Sequence, residues 1–319
     1  MTSRTGLTIG LAVMLAVVVA VFGSEWKVAG QSAQIKTAKA AAGDSNSPAS
    51  SLTVERLSAS AKPAVEASSA AASLFTAAAL RNTELQDNLN WAFGGKSQRG
   101  WRLYAPLVGS LIGAEGDQTT GGFAAQLSRW QQQRGVAANG ILDQTTWSQM
   151  ITDWQANRIK DHSYPTPDEL VTIPPSECYD PSRPEELRQV ERATYAAYKQ
   201  MIAAATADAA LGLQVTRDGG LAESEKYFKV VSAFRSREYQ AQLRAQSPNS
   251  GRAGLAVNSP HFTGRALDLY VGGEPVSTKD DNRALQTQTK AYRWLTKNAA
   301  RFGFRPYFYE PWHWEYVGK

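Results

Sequence analysis

Residues that usually carry covalent or metal chemistry are scarce in this chain: 319 residues hold three histidines and one cysteine. The lone thiol, Cys178, closes no intramolecular disulfide and completes no C-x-x-C zinc motif. Its sequence neighbourhood supplies no imidazole to activate a nucleophile, so it reads as a small structural hydrophobe. Long runs of lysine or arginine are missing too, and the net charge is only +5. Nucleic acid is therefore not an expected partner, whereas an anionic surface stays compatible with the mild basic excess. Large apolar side chains are thin over residues 24–85, an Ala/Ser-rich stretch typified by K-A-A-A-G-D-S-N-S-P-A-S-S. Such a composition buries too little to offset its chain entropy. Residues 24–85 are expected to be a flexible stalk, with helical fragments such as 71–80.

What is present begins with a targeting pattern. Arg4 precedes an apolar run from Leu7 to Phe22, so residues 1–23 read as a signal peptide or an N-terminal membrane anchor. The run is slightly short of the roughly 20 residues of a comfortable span. An anchor would use residues 5–23. Either way the rest of the chain is expected to be exported, into the periplasm or cell-wall space, secreted or held at the inner membrane.

From residue 86 to 158 the character changes, with tryptophans at 91, 101, 130, 147 and 154. Phe123, Leu127 and Trp130 share one helical face. Gly135 fits a helix end, Asn139-Gly140 a turn, and Asp143 the N-cap of a second helix bearing Trp147 and Met150. The pattern W-Q-Q-x-x-G…N-G-I-L-D-x-x-T-W resembles the small helical peptidoglycan-binding domain found beside many bacterial wall hydrolases. That resemblance implies a small all-α domain with cell-wall glycan or peptide as partner. Six prolines between 165 and 184 disfavour helix and central strand, so residues 159–184 read as an extended linker.

Residues 185–319 form the last domain. Helical spacing from Leu187 to Ile202 predicts a long helix reaching about residue 210. Strands are expected over 227–234, 266–271 and 312–317, helices from Ser236 and over 284–302, and a polar loop over 248–259. No regular βαβ rhythm appears, so the expected class is α+β with a small antiparallel sheet and flanking helices.

Two of the three histidines lie in S-P-H-F-T-G-R-A-L-D (Ser259–Asp268) and E-P-W-H-W-E (Glu310–Glu315). His261 and Asp268 can converge across a turn at Gly264, whose lack of a side chain permits the backbone. His313 alternates with Trp312 and Trp314, and Glu310 precedes it by three residues. Two imidazoles, a carboxylate ligand and a further carboxylate as base are the components of a catalytic zinc site.

The combined pattern S-x-H-x-x-G-x-A-x-D…E-x-W-H resembles the zinc D-alanyl-D-alanine carboxypeptidase family of the vancomycin-resistance type, across about Val190 to Tyr316. That group shares its fold with lysostaphin-type peptidases and the hedgehog signalling domain. The resemblance implies one zinc ion bound by His261, Asp268 and His313, with Glu310 as catalytic base. It also implies that Arg235, in S-A-F-R-S-R, stabilises an oxyanion or holds a substrate carboxylate, with Arg237 as a competitor. Gln240 and Ser259 are implied substrate contacts. Glu315 is expected to orient a ligand, and His162 to be solvated. The implied substrates are peptidoglycan stem peptides, with D-alanine released. An endopeptidase, an L,D-carboxypeptidase and a non-catalytic wall-binding adaptor are the alternatives.

Overall fold

The computed structural model describes residues 61–246 and 258–318, with side chains from residue 74 onward. The expected signal or anchor at 1–23, the first part of the expected stalk and most of the polar loop before Ser259 lie outside the described residues.

The Ala/Ser-rich stretch is not a stalk throughout. Helix α1 runs Ala61–Asn88, and its last turns bury Ala78, Ala79, Asn82 and Leu85. Alanine has the highest helix propensity, and its small side chain allows the close approach to α3 (Gly121–Gln133) that fixes the segment. Between them lie a hairpin, β1 (Asn90–Phe93) with β2 (Lys96–Arg99), and helix α2 (Ala105–Ile112). The helical region therefore also contains two strands. Helix α4 (Gln144–Ala156) follows, N-capped as expected by Asp143, whose carboxylate accepts from the Thr146 amide at 2.9 Å.

The W-Q-Q…N-G-I-L motif explains itself structurally. Gln131 accepts from the Gly140 amide at 2.8 Å and donates to the Ile141 carbonyl at 2.9 Å. Asn82 of α1 grips the same turn, donating to the Gly140 carbonyl and accepting from the Leu142 amide, both at 2.8 Å. Gly140 has φ +71°, and a Cβ there would lie 2.6 Å from the Ala124 carbonyl oxygen, so only glycine fits. Around this turn Trp101 stacks on Phe123, and Trp147 meets Trp91 and Trp154 edge-on.

The proline-rich segment contributes one short strand, β3 (Leu170–Thr172), paired antiparallel with β4 (Gln189–Glu191). Val190 is thus used in a strand rather than in the expected long helix. Helix α5 (Arg192–Thr206) starts only where the Glu191 carboxylate caps the amides of Ala193 and Thr194.

The remaining chain is α+β. A four-stranded antiparallel sheet has the order β5-β6-β8-β7, from β5 (Val230–Ser232), β6 (Ala266–Leu269), β7 (Phe304–Pro306) and β8 (His313–Tyr316). Helix α6 (Arg237–Gln246) follows β5. The helix expected over 284–302 is divided into α7 (Asp280–Gln288) and α8 (Lys290–Asn298). Thr289 divides it because its hydroxyl caps α8 at Tyr292 and donates to the Val271 carbonyl at 2.8 Å. One continuous apolar core joins the helical region to the sheet region. Phe308, from the β7–β8 connection, inserts among Phe93, Tyr104 and Trp154, with ring centroids 4.7, 5.7 and 5.6 Å away.

Candidate metal centre

The sheet register brings the site together. Asp268 on β6 sits opposite His313 on β8, and Ala266 opposite Glu315. Strand alternation puts all four on one face, with Leu267 and Trp314 on the other. His261 arrives from a short turn over Pro260–Thr263, capped by the Ser259 hydroxyl. That turn closes at Gly264, with φ +66°, where a Cβ would come within 2.9 Å of the Glu191 amide nitrogen.

Each imidazole is oriented through its second nitrogen. His261 Nδ1 donates to the Ala233 carbonyl at 2.6 Å, which leaves the lone pair on Nε2. That Nε2 lies 3.2 Å from Asp268 Oδ1, yet it is buried with no hydrogen-bond partner among the described residues. The contact is close without being aligned as a hydrogen bond. His313 turns the other way: Nε2 faces Glu315 Oε1 at 3.1 Å and Nδ1 faces Asp268 Oδ1 at 2.9 Å. Donor atoms of His261, Asp268 and His313 all lie within 4.8 Å of one another.

This set fits a zinc ion. Tetrahedral ligands at about 2.0–2.1 Å from zinc stand roughly 3.3 Å apart, close to the 3.2 and 2.9 Å separations around Asp268 Oδ1. A buried, partnerless imidazole nitrogen facing a buried carboxylate is costly unless something binds between them. All three residues are at most 2% exposed.

Electrostatics separate the groups sharply. Burial alone would raise the Asp268 carboxyl, but His261, His313 and Arg235 hold it far below the usual carboxylate range. Burial, aided by the Arg235 charge, depresses His261 to about 4. Burial opposes protonation of His313 as well, yet hydrogen bonds to Asp268 and Glu315 raise it to about 9. Glu310 is pushed up by burial to about 8. It is 1% exposed, and its Oε2 has no hydrogen-bond partner among the described residues. Backbone bonds from its amide to Tyr307 and from the His313 amide to its carbonyl, 3.1 and 3.0 Å long, fix it at the tip of the β7–β8 connection.

The other sequence candidates divide. Arg235 is buried at the centre, donating from Nη2 to Asp268 Oδ2 at 2.8 Å and from Nε to Ser232 Oγ at 3.0 Å. Arg237 is exposed and lies over the Tyr164 ring, 5.7 Å from its centroid. Gln240 is buried on α6, and Ser259 is buried beneath the turn that carries His261. His162 is half-buried rather than solvated, with Nε2 3.3 Å from the Ile159 carbonyl. Glu315 contacts His313, as expected. Its own partner lies where sequence reading gave no signal: Arg158, just after α4, donates to Glu315 Oε1.

Two imidazoles and a carboxylate converging on a β-sheet face, with a second buried carboxylate beside them, define a centre suited to metal-assisted hydrolysis. Residues 187–319 match the VanY family model, D-alanyl-D-alanine carboxypeptidase. The match supports a VanY-like, D-alanyl-D-alanine carboxypeptidase-like peptidase over this part of the chain. No curated protein matches the chain.

Proposed function

We propose that the protein is an exported zinc metallopeptidase that hydrolyses peptidoglycan stem peptides and releases their terminal D-alanine. The observation that carries this reading is the convergence of buried His261, Asp268 and His313 with buried Glu310 inside the VanY-matching segment.

His261 Nε2, Asp268 and His313 Nδ1 would hold the ion. Bound there, zinc supplies a Lewis acid for the scissile carbonyl and eases deprotonation of water. Glu310 takes the proton of the attacking water as its oxygen bonds to the carbonyl carbon. The same carboxyl then returns that proton to the departing amine as the C–N bond breaks. The products are a shortened peptide carboxylate and free D-alanine. Glu310 is buried beside the candidate ligands, with Oε2 left without a hydrogen-bond partner among the described residues, so that oxygen is open to both halves of this transfer. Arg235 places a cation beside the reacting carbonyl, where negative charge develops. The helical region holds wall glycan or peptide, which raises the local concentration of enzyme at its substrate. Residues 1–23 direct export, with or without retention at the membrane.

Mass spectrometry of muropeptides incubated with the zinc-loaded chain tests the assignment of the bond. Loss of one alanine from pentapeptides is expected. Loss from tetrapeptides alone would make it an L,D-carboxypeptidase, and splitting of cross-linked dimers an endopeptidase. No product from any of them would leave the wall-binding adaptor as the better reading.

A further inference from the structure

The helical region lies outside the family match, which begins at residue 187, yet it reaches the metal-facing side of the sheet. Arg158 follows α4, and its side chain is only 9% exposed. Its Nε donates to Glu315 Oε1 at 2.9 Å, and its Nη2 bonds the same oxygen. The next residue completes the grip, since the Ile159 amide donates to Glu315 Oε2 at 2.9 Å. Both oxygens of a carboxylate that is 0% exposed are thus held from the helical side. The same Oε1 meets His313 Nε2 at 3.1 Å, which turns Nδ1 toward Asp268. Arg158 is itself fixed from behind, with its guanidinium 4.0 Å from the Tyr307 ring centroid. The Tyr307 ring in turn packs edge-on against His313, 5.9 Å between centroids.

We propose that Arg158 is a positioning residue of the metal centre: acting through Glu315, it sets the orientation of His313, so that the helical region completes the site. The proposal rests on the reading of His261, Asp268 and His313 as zinc ligands. Its physical basis is charge compensation combined with geometry. A buried carboxylate that orients a ligating imidazole needs a fixed counter-charge and a fixed plane. The arginine fork and the Ile159 amide supply both. A lysine at this position would keep the charge and lose the fork.

The test uses the full chain, stripped of metal, with zinc affinity measured by competition against a chromophoric chelator. The absorption spectrum of the cobalt-substituted protein reports ligand geometry independently of turnover. Near-ultraviolet circular dichroism checks that each variant is folded. Arg158→Met is expected to weaken zinc binding about 10-fold and to shift the cobalt spectrum in the manner of Glu315→Gln. Arg158→Lys, which remains informative if the methionine variant does not fold, should fall between wild type and Arg158→Met. The double variant Arg158→Met/Glu315→Gln should bind no more weakly than Glu315→Gln alone, because the two residues act in series. Tyr104→Phe removes the hydroxyl that accepts from Arg283 Nη1 at 3.0 Å elsewhere on the interface and should leave affinity unchanged.

Wild-type affinity and spectrum in both Arg158 variants would overturn the proposal. So would additive losses in the double variant, or an equal loss in Tyr104→Phe, which would reduce Arg158 to a docking contact. A wild-type chain that takes up no zinc would sink the metal-centre reading itself, and this proposal with it.

Discussion

The helical region and the sheet region both bury polar groups, but of different kinds. Around the Asn139–Leu142 turn, Asn82, Gln131 and Thr146 are neutral and bond to one another or to backbone. Around β6 and β8, the buried groups are Arg235, His261, Asp268, Glu310, His313 and Glu315. Among these ionisable groups, His261 Nε2 and Glu310 Oε2 lack hydrogen-bond partners among the described residues, whereas the unpartnered buried atoms of the helical region belong to neutral groups, the indole nitrogens of Trp101, Trp130 and Trp147 and the amide oxygen of Gln155. A satisfied neutral network fixes a chain path at little cost. A cluster of buried ionisable groups with unsatisfied hydrogen-bonding atoms is costly for folding and is characteristic of a site built for chemistry. The two regions meet at Phe308 and Arg158, so the scaffold lies directly behind the reactive groups.

Paired substitutions sharpen this contrast. Arg235→Ala removes a cation from the centre and should lower the rate of hydrolysis by about 10²–10³-fold. In the helical region, Gln131→Ala unties several bonds of the 139–142 turn. It should cost about 1–3 kcal/mol of stability, seen as a lower denaturation midpoint, and leave the rate constant of the folded fraction close to wild type. Equal loss of rate in both would erase the distinction between scaffold and site.

A smaller effect is expected from pH in the metal-free protein. Glu310 has an ordinary value of 4.5 and is raised to about 8 by burial. Its contribution to stability is therefore fully present below about 4.5 and is lost as pH rises through about 8. His313, ordinarily 6.5, is raised to about 9 by the Asp268 and Glu315 carboxylates against the cost of burial. Its contribution is present below 6.5 and lost as pH rises through about 9. The melting temperature of the metal-free chain should fall from pH 6 to pH 9. In Glu310→Gln the fall should be shallower without vanishing, because His313 still titrates. A flat profile in the wild type would contradict the buried, raised state of both groups.

The candidate ligands that the fold brings within 4.8 Å of one another stand out in the sequence as polar side chains set among apolar neighbours: Asp268 in A-L-D-L, His313 between two tryptophans. Gly264 was legible for the same reason that it is required, as the one residue able to close that turn. The register that sets Asp268 opposite His313 is a long-range pairing that no local pattern encodes. Arg158 was not legible at all. It stands in a polar stretch after a helix, and its partner is 157 positions away. The stalk expectation failed over residues 78–85 because composition counts large apolar residues, whereas this end of α1 packs through Ala78, Ala79 and a buried Asn82. The helix expected from Leu187 starts later because strand pairing claims Val190 and Glu191 serves as the cap.

In the proposed reaction, Glu310 does the proton transfer at a zinc centre formed by His261, Asp268 and His313. The most direct test compares D-alanine release from a stem pentapeptide by the full chain and by Glu310→Gln, each reconstituted with one equivalent of zinc and assayed for bound metal. Both are expected to hold one zinc ion, and the release of D-alanine by the variant is expected to fall by at least about 10²-fold. Release by Glu310→Gln at the wild-type rate, or a zinc-loaded wild type that releases none, would contradict that reaction.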